Sequence, residues 1–446
     1  MAEISLPDET RHAVELIHQA DIVVGIPSYN SVRTIGHVVQ AAHAGLAKYF
    51  RQFISVVINS DGGSKDGTRE AVLGTRVEDT HMLLISTPLF PVHRLSFPYH
   101  GIPGKGSAFR SIFEVAKMLG AKACIVVDSD LRSITPEWID LLVRPILLAD
   151  YDLVAPYYHR HKYDGTITNS IVYPLTRSLY GLAVRQPIGG DFGISARLVS
   201  RYLERKDWET DVARYGVDIW MTTIALAESF RVCQSFLGAK LHDAKDPGSD
   251  LTSMLTQVVG SVFTLMQEYE TAWKEQSGSH RADLFGFRYD VGLDPIEVNT
   301  DRMLAAFRNG CKDLGEIWAL ALHPDNHKAL LALSCRANED SKRFHIEDEL
   351  WVRVIYDFAS AYKNRPLERG HLLRSLTPLY LARVASFVVE AHSLLPPEFE
   401  EKIEQLCLCF EKLKPYLISR WNGEAISGPA PALSSPAANV GEISKR

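Results

Sequence analysis

Between residues 21 and 157 short runs rich in Val and Ile alternate with segments of helical period, and this alternation constrains the fold more than any other feature. The runs are DIVVGIPSYN, FISVVINSDGG, HMLLIST, CIVVDSD and DLVAPYY; between them lie TIGHVVQAAHAGLAKYF and SAFRSIFEVAKMLGA. Near-continuous apolar strands separated by helices must be buried on both faces, which predicts a mostly parallel, doubly wound α/β sheet. In such sheets ligands sit at the carboxyl ends of the strands. Chemistry is therefore expected at Ser28 to Asn30, Ser60 to Gly63 and Asp128 to Asp130.

The remainder divides the chain. Residues 1–20 read as an N-terminal helix, 21–290 as the α/β unit, 291–420 as helical throughout, and 421–446, rich in Pro, Ala, Ser and Gly, as a disordered tail. The helical part is assigned no chemistry and is expected to pack on the α/β unit and form a homodimer interface. With 446 residues, 46% of them hydrophobic, the chain can bury a large core. Its net charge of -6 argues against nucleic acid or anionic membrane as a partner, so a phosphate-bearing ligand needs a local positive device. Cys124, Cys233, Cys311, Cys335, Cys407 and Cys409 lack metal-ligand spacing and fit a reducing cytoplasm. No signal peptide and no apolar run of about 18 residues is read.

Three stretches carry chemistry. Asp128 and Asp130 end an apolar strand and project to one side, forming a hard oxygen site for Mg²⁺ or Mn²⁺; equally, they open the helix that Thr135 and Pro136 begin. GIPGKGSAFR places Lys105 before a helix, where it can meet a phosphate or be an incidental loop lysine. It is not a Walker loop, because Gly106 follows the lysine. In NSDGGSKDGT, Asp61 reads first as a turn residue and second as an acceptor for a nucleobase N–H. GIPSYN lacks both the dinucleotide glycines and the basic loop of a nucleotidyltransferase.

Taken in order, GIPSYN, SDGGSKDGT, GKG and DSD resemble the GT-A fold of nucleotide-sugar glycosyltransferases. More narrowly, PGKGSAFR, DSDLRSITPEWI, RQPIGGDFGIS, YGVDIW and GAKLHDAKD resemble the retaining group that includes mannosylglycerate, glucosylglycerate and glucosyl-3-phosphoglycerate synthases, over residues 21 to about 275. The resemblance implies Asp130 as a metal ligand, Asp128 beside it on the metal or the donor, and His242 as the third protein ligand. It implies Lys105 and Ser129 on the donor, Asp61 on the base, and Pro27, Ser28 and Tyr29 around the nucleoside, with the base left open among UDP, GDP and ADP. Gly189 and Gly190 would let backbone approach the sugar, with Asp218 and the Ile188 carbonyl near the reacting centre. Arg160 and Thr168 match the residues that hold a glycerate carboxylate and hydroxyls, and a guanidinium fork suits a planar carboxylate. The implied activity is transfer of a hexose, glucose before mannose, from an NDP-sugar to the 2-hydroxyl of D-glycerate. His159, His161 and Lys162 beside Arg160 keep 3-phosphoglycerate open as the alternative acceptor.

Overall fold

The computed structural model describes residues 6–75, 92–98, 104–210, 212, 214–241, 251–289, 292, 296–336 and 343–424. The strands in chain order are β1 (Ile22–Ser28), β2 (Ser55–Asp61), β3 (Val92–Pro98), β4 (Ala123–Val126), β5 (Leu153–His159), β6 (Leu182–Ala183), β7 (Phe192–Ser195), β8 (Val232–Ala239), β9 (His280–Arg281) and β10 (Leu284–Phe285). Eight of these described strands form one sheet in the order β10-β8-β5-β7-β4-β1-β2-β3, and β6 pairs with β9 in a separate ladder. Every pairing in the large sheet is parallel except those of β7, which runs antiparallel to both β4 and β5. The α/β expectation is met. Of the predicted strands, HMLLIST lies outside the described residues.

Period-2 geometry explains why β1 is buried from end to end. Val23 faces one layer with Phe109, Ile112 and Phe113 of the helix Lys105–Met118. Ile22, Val24 and Ile26 face the opposite layer, with Val38 and Val39 of the helix Ile35–Tyr49 and Leu142 of the helix Pro136–Ala149. Each such side chain contributes roughly 1.5–3 kcal/mol on burial. The chain runs outward from β1 through β2 to β3 and then returns to β4 on the other side of β1. That reversal opens a crevice at the carboxyl ends of β1 and β4, where Ser28 and Asp128 lie.

The largest core cluster crosses residue 290. It joins Ile171 and Leu175, in and just after a π-helical turn (Thr168–Val172), with Val259 and Phe263 of the helix Leu251–Glu268 and with Phe307, Trp351 and Leu376 from the C-terminal helices. The C-terminal helices therefore share one interior with the segment carrying Thr168. The helix Arg369–Ala391 passes a length-and-composition test for a membrane span, yet 67% of its most apolar window is buried inside the protein. Its Arg383, 1% exposed, donates to the Ile346 carbonyl at 2.7 Å and to Asp348. Expected disorder beyond residue 421 concerns a tail of which residues 425–446 lie outside the described ones.

Strand β7 fits under a helix only because it carries glycine. A Cβ on Gly193 would lie 2.2 Å from the Leu142 carbonyl oxygen, and backbone cannot give way as a side-chain tip can. Gly193→Ala is predicted to lower stability by about 1–3 kcal/mol in denaturant unfolding, whereas Gly74→Ala, with open space around it, should leave the midpoint unchanged or slightly raised.

Candidate functional site

The loops after β1 and β2 are laced together. Ser28 Oγ and Ser64 Oγ donate to Asp61 Oδ1 at 2.9 and 2.6 Å, while the Gly63 and Ser64 amides donate to Asp61 Oδ2 at 3.0 and 2.8 Å. Both oxygens of Asp61, a fully buried residue, are thus committed to internal donors. Asn30, at φ 50°, extends the lacing by donating its amide to Ser64 Oγ at 2.7 Å. Pro27 and Ser28 are buried, whereas Tyr29 is 66% exposed and leaves its ring at the crevice edge.

Beyond the end of β4 three carboxyl groups meet two ammonium groups. Asp128 Oδ1 lies 2.7 Å from Lys105 Nζ, and Oδ2 lies 2.7 Å from Lys240 Nζ. Lys240 also reaches Asp191 Oδ2 and the Gly189 carbonyl, each at 2.8 Å. Lys105 reaches Asp218 at 3.3 Å and the Gly190 carbonyl at 3.3 Å. Asp191 is fixed further by accepting the Asp128 amide at 2.7 Å and the Tyr158 hydroxyl. Lys105 opens the helix Lys105–Met118, so the first turn of that helix brings its ammonium to the crevice.

Burial sets the electrostatics. It opposes ionisation of Asp128, but the attraction of Lys105 and Lys240 outweighs it and holds that carboxyl far below the usual range. Burial likewise opposes charge on both lysines, and the neighbouring aspartates outweigh it and raise them. Burial prevails at Asp191 and Asp218, whose pKa values rise despite Lys240 and Lys105 respectively. Three carboxyl groups share two ammonium groups, and Asp130 adds a fourth carboxyl two residues beyond Asp128. Among the described residues Asp130 has no hydrogen-bond or ion-pair partner, and its side chain is half-buried at the crevice.

This donor set fits a divalent cation better on Asp130 than on Asp128, whose oxygens are both held by lysine. His242 lies outside the described residues, and among those described no group of three His, Cys, Asp or Glu is arranged to hold a metal. Ser129 anchors the turn between the two aspartates: its carbonyl accepts Thr34 Oγ1 at 2.8 Å, and its hydroxyl pairs with Ser31 Oγ at 2.9 Å.

A second concavity is lined by Arg160, Thr168, Gln186 and Ile188, among others. The two predicted acceptor residues are therefore brought together. Arg160 Nε, a donor, and Gln186 Oε1, an acceptor, are both buried with no hydrogen-bond partner. Such orphans cost about 1–3 kcal/mol each unless a ligand meets them. A small molecule bearing a carboxylate and a hydroxyl meets both kinds. The two concavities are neighbours, because Ile188 lines the pocket while Gly189 and Gly190 contact the lysines. Tyr158 forms the shared wall, with Arg160 and Lys240 both over its ring, at 5.2 and 5.1 Å. Gly190 has φ 89°, and a Cβ there would lie 2.3 Å from Asp128 Oδ2, so this glycine serves the lysine–aspartate packing directly.

Lys240, Asp191 and Tyr158 were not singled out from the sequence. Lys240 follows β8 immediately, so the rule that placed Ser28 and Asp128 would have found it. Asp191 precedes its strand, and it reaches the crevice only because β7 runs antiparallel to its neighbours.

No protein-family model matches this chain, and no curated protein does. Among solved structures it is similar to glucosyl-3-phosphoglycerate synthase from Mycobacterium tuberculosis in complex with Mn²⁺, UDP-glucose and phosphoglyceric acid, at 20% identity and a TM-score of 0.40, over 57% of this chain and 82% of that one. A second structure of that enzyme, with Mn²⁺ and UDP-glucose, gives 20% identity and a TM-score of 0.41 over 58% and 83%. A mycobacterial protein gives 22% and 0.41 over 57% and 77%.

Lys240→Met would leave the buried Asp191 without its ion-pair partner and Asp128 with Lys105 alone. It is predicted to cost about 3–5 kcal/mol in denaturant unfolding. Asp191→Asn in the same chain should restore part of that loss, and a strictly additive pair would separate the two residues energetically.

Proposed function

We propose that this chain is a metal-dependent hexosyltransferase that moves a hexose, glucose before mannose, from an NDP-sugar to the 2-hydroxyl of D-glycerate with retention of configuration. The observation that carries the reading is the contiguity of two sites of different chemistry. An anionic, lysine-buttressed crevice lies at a strand switch point, and a pocket with an unpartnered guanidinium nitrogen opens beside it across Ile188–Gly190.

In this reading Asp130 and His242 hold Mg²⁺ or Mn²⁺, which when bound supplies charge neutralisation to a departing diphosphate. Asp128 stays with Lys240 and faces the donor with Ser129. Tyr29 offers an exposed ring to a base, and Asp61 keeps the loop beneath it rigid through its internal hydrogen bonds. Lys105 can exchange its aspartate partners for a phosphate, since a lysine ammonium is a movable point charge. Gly189 and Gly190 bring backbone close to the sugar, and Asp218, buried beside Lys105, stands near the transferred group with the Ile188 carbonyl. Arg160 holds the acceptor carboxylate and Thr168, 7% exposed on the π-helical turn, a hydroxyl. The protein is expected to act in the cytoplasm, as a homodimer.

A product assay crossing UDP-, GDP- and ADP-glucose and GDP-mannose with D-glycerate and 3-phosphoglycerate tests the activity; no transfer in any combination would sink it. Asp130→Ala should reduce turnover by more than about a hundredfold while leaving the circular dichroism unchanged, and full activity in EDTA would remove the metal from the reading. Arg160→Ala should raise the acceptor KM by about tenfold or more and leave the donor KM nearly constant. An unchanged acceptor KM would take Arg160 out of the pocket's function.

A further inference from the structure

We propose that Glu400, carried by the C-terminal helix Pro396–Lys412, sets acceptor choice by neutralising a second arginine in the acceptor pocket and so excluding phosphorylated acids. The inference rests on the sugar-transfer reading only for the identity of the acids compared.

Arg185 lines the same pocket as Arg160, and two guanidinium groups in one small concavity would suit an acceptor bearing both a carboxylate and a phosphate. Arg185 is not free to do this. Its Nε and Nη2 donate to the two oxygens of Glu400, each at 3.1 Å, and its Nη1 donates to Asn169 at 2.9 Å. This fork-to-fork pairing occupies the face a phosphate would use, and the Glu400 carboxylate, 43% exposed, stands at the pocket with its own negative charge.

Two of the other basic residues near Arg160 are disarmed as well. Lys162 donates to the carbonyls of Ala391, His392 and Leu394 at 2.7, 2.7 and 3.2 Å, and so serves the end of the helix Arg369–Ala391. His161 accepts the Tyr163 amide on Nδ1, which requires that nitrogen unprotonated; burial and then the Lys162 charge also push its pKa down. Asp164, 3.6 Å from Arg160 Nη1, balances part of the remaining charge. Lining charges of both signs are therefore equal in number: Arg160 and Arg185 against Asp164 and Glu400. A monoanion meets the orphan Nε of Arg160 without penalty, whereas a phosphate adds a charge of about -1.5 to -2 facing Glu400.

Isothermal titration of D-glycerate and 3-phosphoglycerate, with and without Mg²⁺ and UDP, tests this without relying on turnover. The wild-type protein should bind D-glycerate more tightly, and E400Q should gain about tenfold or more in affinity for 3-phosphoglycerate while D-glycerate changes by less than about threefold. R185Q in the E400Q background should abolish that gain. Tighter wild-type binding of 3-phosphoglycerate, binding of neither acid, or no selective gain in a folded E400Q would overturn the inference. The wild-type comparison decides the matter even if E400Q does not fold. Turnover reads the other proposal separately: the expected binding pattern with no sugar transfer from any donor would leave Glu400's role standing and remove the transferase reading.

Discussion

The pairing of Asp128 with Lys105 and Lys240 is the interaction on which the rest of the site depends. Each residue comes from a different element: the end of β4, the start of the helix Lys105–Met118 and the end of β8. Isolated, each of these charges would be expensive to bury; together, with Asp191 and Asp218, they form a network whose members keep one another ionised or poised. The same network fixes backbone. The Gly189 and Gly190 carbonyls are lysine acceptors, so the segment that separates the crevice from the pocket is held by electrostatics as well as by packing.

Charge count gives the proposed site a chemical direction. In that reading an excess of carboxyl over ammonium groups, with Asp130 at its edge, suits a cation, while the two lysines suit a phosphate. The neighbouring pocket obeys a different rule: its lining charges cancel, and it carries orphaned hydrogen-bonding atoms on Arg160 and Gln186. In the proposed reading, these separate electrostatic rules on either side of Tyr158 suit a highly charged donor and a lightly charged acceptor.

The C-terminal helices enter this chemistry from behind. Trp351 donates its indole N–H to the Ser170 carbonyl at 2.8 Å, and the Tyr380 hydroxyl pairs with Thr166 at 2.5 Å, so both helices brace the turn that carries Thr168. The helix Pro396–Lys412 goes further and reaches the pocket with Glu400. A unit read from its sequence as a packing and dimer-interface element without chemistry thus supplies a wall of the candidate site.

The sequence by itself determined the α/β class and the crevice residues that follow β1, β2 and β4, which were legible because strand periodicity and strand ends are local properties. The Arg160–Thr168 pairing in one pocket followed instead from the motif resemblance. Only the tertiary structure decided that both oxygens of Asp128 are taken by lysines, that Asp61 is satisfied internally, that Asp191 arrives on an antiparallel strand, and that Glu400 faces Arg185 from 215 residues away. The reason is physical: what a buried charge does is set by the partners that share its low-dielectric surroundings, and those partners are chosen by chain topology rather than by neighbours in sequence.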